Sequence, residues 1–118
     1  MTAPMTPNEV VLQLAEMGRD LARTVSQLEM ADRDATEKRA AYDLAFSRAF
    51  IGAEGAMEQR KHLAVVAVHQ QRLDADVADA LVRHLRRRID ATKVRIEVGR
   101  SYGAAIRAEL NLAQMGVD

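Results

Sequence analysis

From Val10 to Ile51 the apolar positions recur with a heptad period. Leu14, Leu21, Leu28, Ala35, Tyr42 and Ala49 stand seven apart, and Met17, Thr24, Ala31, Lys38 and Ala45 fill the positions between them. Val11, Val25 and Phe46 widen the stripe. Such a pattern gives a helix one apolar seam for a partner helix. The seam weakens around Ala31–Lys38, where its side chains become small or charged. Gly18 is the only glycine in this stretch and proline is absent from it, so the pattern predicts one long helix over about residues 7–51. Its start is marked by Thr6-Pro7-Asn8-Glu9: a capping threonine, proline at the first helical position and glutamate to complete a capping box.

Ile51-Gly52-Ala53-Glu54-Gly55-Ala56 holds the only close pair of glycines in a helical background. It predicts a turn at 52–55, with Gly52 in the left-handed position after the first helix and Gly55 as cap of the second, Glu58 being its third residue. The second helix is expected over about 56–115. Leu63, Val66, Gln70, Leu73 and Val77 follow 3–4 spacing; Val77, Leu81 and Leu85 step by four, as a stutter does. Ile89, Thr92, Ile96, Gly99, Gly103, Ile106, Leu110 and Ala113 then keep strict heptad phase. A break at 73–78 would make three helices. The expected architecture is all-α: a long antiparallel hairpin or coiled coil over residues 6–118, oligomeric, after a disordered tail at 1–5. In a hairpin turning at 52–55, residue 43 faces the mid-sixties, and the basic end of helix two faces the mid-twenties and residues before them.

Composition narrows the class. The 118 residues are 48% apolar and 29% charged but only 3% aromatic, and 21 are alanine, as in long helices packed through small side chains. Few aromatics argue against a base-stacking platform and against a large apolar cavity for a small-molecule substrate. Without cysteine there is no disulfide or thiolate metal site. The N-terminal residues lack the pattern of a secretory signal, and no apolar run reaches bilayer length, so no membrane association and a cytoplasmic location are expected.

The formal charge is zero but unevenly placed. Arg83, Arg86, Arg87, Arg88, Lys93, Arg95, Arg100 and Arg107 stand against only Asp90 and Glu97, a local net charge of +6. Arg86, Lys93, Arg100 and Arg107 are seven apart on one edge of the seam, with Arg88 and Arg95 on the other. Long cations there cover a seam and pair with acids such as Glu29, Asp32, Asp34, Glu37 and Asp43, or else contact phosphates along a rod. These eight are the candidate nucleic-acid or partner contacts. Leu14, Leu21, Leu28, Tyr42, Ile96, Gly99, Gly103 and Ile106 are the candidate helix-packing and oligomer contacts. Two seam glycines four apart cost about 1 kcal/mol each against alanine and point to close approach of another helix.

His62, His69 and His84 complete no helical metal motif, so neither a metal nor a cofactor is expected. Phosphate loop, nucleophile elbow and paired carboxylates are all lacking, so an enzyme is not expected. The run Arg95-Ile96-Glu97-Val98-Gly99-Arg100-Ser101, followed by Ala104 and Arg107-Ala108-Glu109, resembles the C-terminal part of small α-helical phage and prophage proteins. There an R-I-x-V-W-R-[ST] run precedes A-x-x-R-A-E. Tyr42–Gly55 and the following Met57-Glu-Gln-Arg-Lys61 are similar to them too, so the resemblance spans roughly 40–110. It implies an accessory of an early replication or recombination module, and it transfers no catalytic residue. Gly99 stands where those proteins often carry an aromatic ring. The expectation is a self-associating, non-enzymatic hairpin binding nucleic acid or a recombination or replication partner. The alternative is a structural or adaptor coiled coil with no nucleic-acid contact.

Overall fold

The computed structural model describes residues 5–116. Except for Met5, the expected disordered tail lies outside them. The described residues form three helices and no strand: α1 (Pro7–Gly52), α2 (Met57–Ala67) and α3 (His69–Met115). The capping box at the start of α1 is formed as its residues dictate. The Glu9 amide donates to Thr6 Oγ1 and the Thr6 amide to Glu9 Oε2, both at 3.2 Å.

Two expectations for the turn are corrected. Gly52 is the last helical residue of α1, and the residue with positive φ is Gly55, at 112°. The cap of α2 is Ala56, extended and without a side-chain capping bond. Arg60 closes the turn instead. Its Nη2 donates to the Phe50 carbonyl at 3.0 Å and its guanidinium lies 4.7 Å from the Phe50 ring centroid.

The second helix is interrupted, at Val68 rather than at 73–78. Val68 leaves helical geometry (φ −111°, ψ 21°), yet its amide still donates to Ala64 and its carbonyl accepts from Arg72. The result is a bend that keeps its hydrogen bonds. Val68 and Ala64 are both buried, so the bend turns with its inner face packed.

The chain forms two compact units, one made of the residues up to Ser26 and from Arg87 onward, the other of Gln27–Arg86. In each, a stretch of α1 lies antiparallel to a stretch of α3. In the 27–86 unit, Ala31, Ala35, Ala78, Val82 and Leu85 make a buried cluster with Leu28 against it. In the other unit, Leu14 sits over Gly99 and Val10 over Gly103. Antiparallel a and d positions meet in layers this way, so the expected hairpin pairing of long helices is observed.

The seam of α1 runs as its heptads predict except at Lys38, which is exposed and paired with Asp34 at 2.9 Å, and at Val11 and Val25, which were expected to widen it and are exposed. The seam of the second helical stretch is different. Its buried residues are Ala64, Val68, Ala75, Ala78, Val82, Leu85, Ile89 and Thr92, whereas Leu63, Val66, Leu73, Val77 and Leu81 are exposed. From Ala75 to Ile106 the true seam is a continuous heptad without a stutter. Val77–Leu81–Leu85 mimics one by stepping from a second apolar stripe onto the seam. Leu110 and Ala113, expected on the seam, are exposed as well.

The pairing register also moves. Asp32 meets Arg86, and Arg39 meets Asp79, roughly three helical turns beyond the partners that a simple fold-back at 52–55 would give them.

Two pairs of substitutions check this packing. Val77 is 61% exposed and Ala78 5%, so Ala78→Glu should unfold or strongly destabilise the chain in thermal denaturation while Val77→Glu leaves the melt of the monomer nearly unchanged. A Cβ on Gly18 meets nothing within 4 Å, whereas one on Gly103 comes within 3.1 Å of Val10. Gly18→Ala should therefore add up to about 1 kcal/mol in denaturant titration, and Gly103→Leu should cost about 1–3 kcal/mol.

Candidate interaction surfaces

The eight packing candidates are all buried or half-buried: Leu14, Leu21, Leu28, Tyr42, Ile96, Gly99, Gly103 and Ile106. Gly99 and Gly103 use their missing side chains within the chain, to admit Leu14 and Val10. An incoming Cβ at Gly99 would stand 2.8 Å from a Leu14 methyl, so glycine here permits close packing.

Between them lies a polar layer. Thr24 and Thr92 are each 1% exposed, and each hydroxyl donates to the carbonyl four residues back, Asp20 and Arg88, at 2.8 and 2.9 Å. Arg88 Nη2 reaches across to Asp20 Oδ1 at 2.9 Å, and Arg95 donates to the Thr92 hydroxyl at 3.4 Å. A buried hydroxyl satisfied by its own helix costs little, and the Arg88–Asp20 bond ties the two carriers together. Asp20 was not among the acids expected to meet the basic run; its one-turn offset from Thr24 is the signal that would have found it.

The basic run divides into engaged and unengaged cations. Arg86 pairs with Asp32 at 3.5 Å, Arg88 with Asp20, and Arg100 with Glu97 at 3.0 Å. Arg83, Arg87, Lys93, Arg95 and Arg107 make no ion pair among the described residues, Arg95 donating only to the Thr92 hydroxyl. In the 27–86 unit the charge order also runs the other way: Arg39 of α1 is clasped by Asp76 and Asp79 of α3. Its hydrogen bonds to Asp76 and then to Asp79 hold the guanidinium's pKa above its usual range. Asp34 similarly raises Lys38, and Arg19 lowers Glu16.

Each unit carries surface that its pairing leaves open. In the 27–86 unit Leu63, Val66, Leu73, Val77 and Leu81 continue one stripe. An open apolar groove of about 490 Å³ lies between Met30 and Leu81, over Ala31 and Leu85. Tyr42, Phe46 and Phe50 form a ladder with centroids 6.4 Å apart at each step; they are half-buried on α1. In the other unit a groove of about 290 Å³ is lined by Pro7, Val10, Val11 and Leu14 from α1 and by Arg100 and Arg107 from α3. Among the described residues no group of three His, Asp or Glu side chains is placed to hold a metal ion, and no helix is long and apolar enough to cross a membrane.

Asp20→Ala should lower stability by about 0.5–1 kcal/mol in denaturant titration, because it strips Arg88 of its partner beside the buried threonines. Asp32→Ala, whose bond to Arg86 is long and exposed, should fall within the error of the same measurement.

No family model matches the chain, and neither a curated protein nor a solved structure does.

Proposed function

We propose that this chain is a non-enzymatic adaptor: a self-associating helical hairpin that engages a protein partner through the cations of α3. On the resemblance of residues 40–110, it serves as an accessory of a phage or prophage replication or recombination module. One observation carries the reading. The cations Arg100 and Arg107 share their groove with exposed apolar side chains of α1, and mixed apolar and cationic surface suits a protein partner better than a phosphate backbone. Self-association is supported by the exposed stripe Leu63–Leu81. Its five large apolar residues lie exposed along one face, and a second copy covering them would take that face out of water and complete a four-helix arrangement.

Nucleic-acid binding is the second reading, and the unpaired Arg83, Arg87, Lys93 and Arg107 favour it. A gel shift with single- and double-stranded DNA, run at low and at moderate salt beside a sedimentation measurement of solution mass, separates the two. The adaptor reading expects no shift at moderate salt, and a dimer or larger species that Leu73→Glu with Val77→Glu converts to monomer. A shift at low salt that falls steeply as salt rises would instead establish phosphate contact.

A further inference from the structure

Across the seam of the 27–86 unit, flanking positions are matched in charge: Asp32 stands against Arg86, and Arg39 against Asp79. In the other unit the same antiparallel stepping, anchored by Leu14 over Gly99 and Val10 over Gly103, places Val25, Gly18 and Val11 across from Lys93, Arg100 and Arg107. Among the described residues no acid of α1 answers these cations, and Arg100 is met only by the exposed Glu97 of its own helix. Where a carboxylate would complete the pairing there is a valine, a glycine and a valine.

The α1 side of this face continues the same chemistry. Val11, Ala15, Gly18, Ala22 and Val25 alternate by four and three, so they form one strip along the helix. Val11 and Val25 are exposed, and space beyond Gly18 is open. At the N-terminal end the strip opens into the groove shared by Val11, Arg100 and Arg107. The face is therefore a shallow apolar track with cations at heptad intervals, about 10 Å apart, along one border.

From this juxtaposition we propose that the face takes an acidic amphipathic helix from a protein partner, with its large apolar residues on the Val11–Val25 strip and its carboxylates against Lys93, Arg100 and Arg107. Charge complementarity selects this occupant. The cations stand at one helical heptad spacing, so acids seven apart on a single partner helix meet all three, over about four turns. Gly18 lets that helix approach the backbone of α1 at its centre. The proposal rests on the adaptor reading and names the class of partner.

The probe is a labelled synthetic helix of about 20 residues, with leucine at its a and d positions and glutamate at e and g; a second peptide carries lysine in place of glutamate. Fluorescence anisotropy reads binding to the full chain. The glutamate peptide should bind, and the lysine peptide should not. The triple variant Lys93→Glu, Arg100→Glu, Arg107→Glu should weaken the glutamate peptide at least about tenfold and gain the lysine peptide. Gly18→Leu, which keeps every charge and fills open space on a helix, should weaken the glutamate peptide by a similar factor, with circular dichroism unchanged.

Equal binding of both peptides, or no binding of the glutamate peptide, would overturn the proposal. So would a dimer that the triple variant turns into monomer, which would make a second copy the occupant. If the peptide fails and DNA gives no shift, only this face is removed and the adaptor reading stands. A DNA shift lost in the triple variant would remove both.

Discussion

The close approach of two helices through small side chains is the constraint on which everything else in this structure depends. Five of the buried apolar residues are alanines, two further seam positions are threonines, and two are glycines that admit Leu14 and Val10. A seam this thin buries little apolar area per layer, at roughly 0.8 kcal/mol for each buried methylene. It gains instead from short interhelical distance and dense contact. Among the described residues, its grooves lie open on the outer faces.

That thin seam explains where the larger apolar residues went. Leucines and valines that normally fill a core stand outside the pairing, at Leu63, Val66, Leu73, Val77 and Leu81 in one unit and at Val11 and Val25 in the other. Charge is arranged on the same logic. Where both helices offer side chains at the flanks, as at Arg39 with Asp76 and Asp79, the ions are clasped within the hairpin. Where α1 offers valine and glycine, Lys93 and Arg107 make no ion pair among the described residues, and Arg100 pairs only within α3. Exposed ion pairs of this kind contribute little stability individually, so their value lies in fixing register and in marking which surfaces are closed.

Much of the fold was legible in the residues. The capping box at Thr6–Glu9, the a and d seam of α1 apart from Lys38, and the seam of α3 from Ile89 to Ile106 follow from local rules whose driving groups are adjacent in sequence. The proximal half of the second helical stretch was not legible, for a physical reason. Two apolar stripes with the same period run side by side there, and hydrophobicity favours Leu63, Val66, Leu73 and Val77 over Ala64, Ala75 and Ala78. Packing favours the alanines, because only they let α3 come close enough to Ala31 and Ala35. Periodicity cannot choose between two stripes of equal period; the partner's side-chain sizes do. The candidate surfaces were legible as residue types but not as engaged or unengaged groups, since that depends on the pairing register of the two helices, which the turn residues alone do not give.

The claim that the alanine stripe, not the leucine–valine stripe, faces α1 has a direct test in a chain that carries no cysteine of its own. Disulfide formation is compared in the double variants Ala35→Cys with Ala78→Cys and Ala35→Cys with Val77→Cys, under mild oxidation at low protein concentration. The small-residue seam predicts rapid intramolecular crosslinking for the 35–78 pair and little for the 35–77 pair, since only the first two share the buried cluster. Preferential crosslinking of 35 with 77 would contradict it, and with it the assignment of the outer faces of the 27–86 unit.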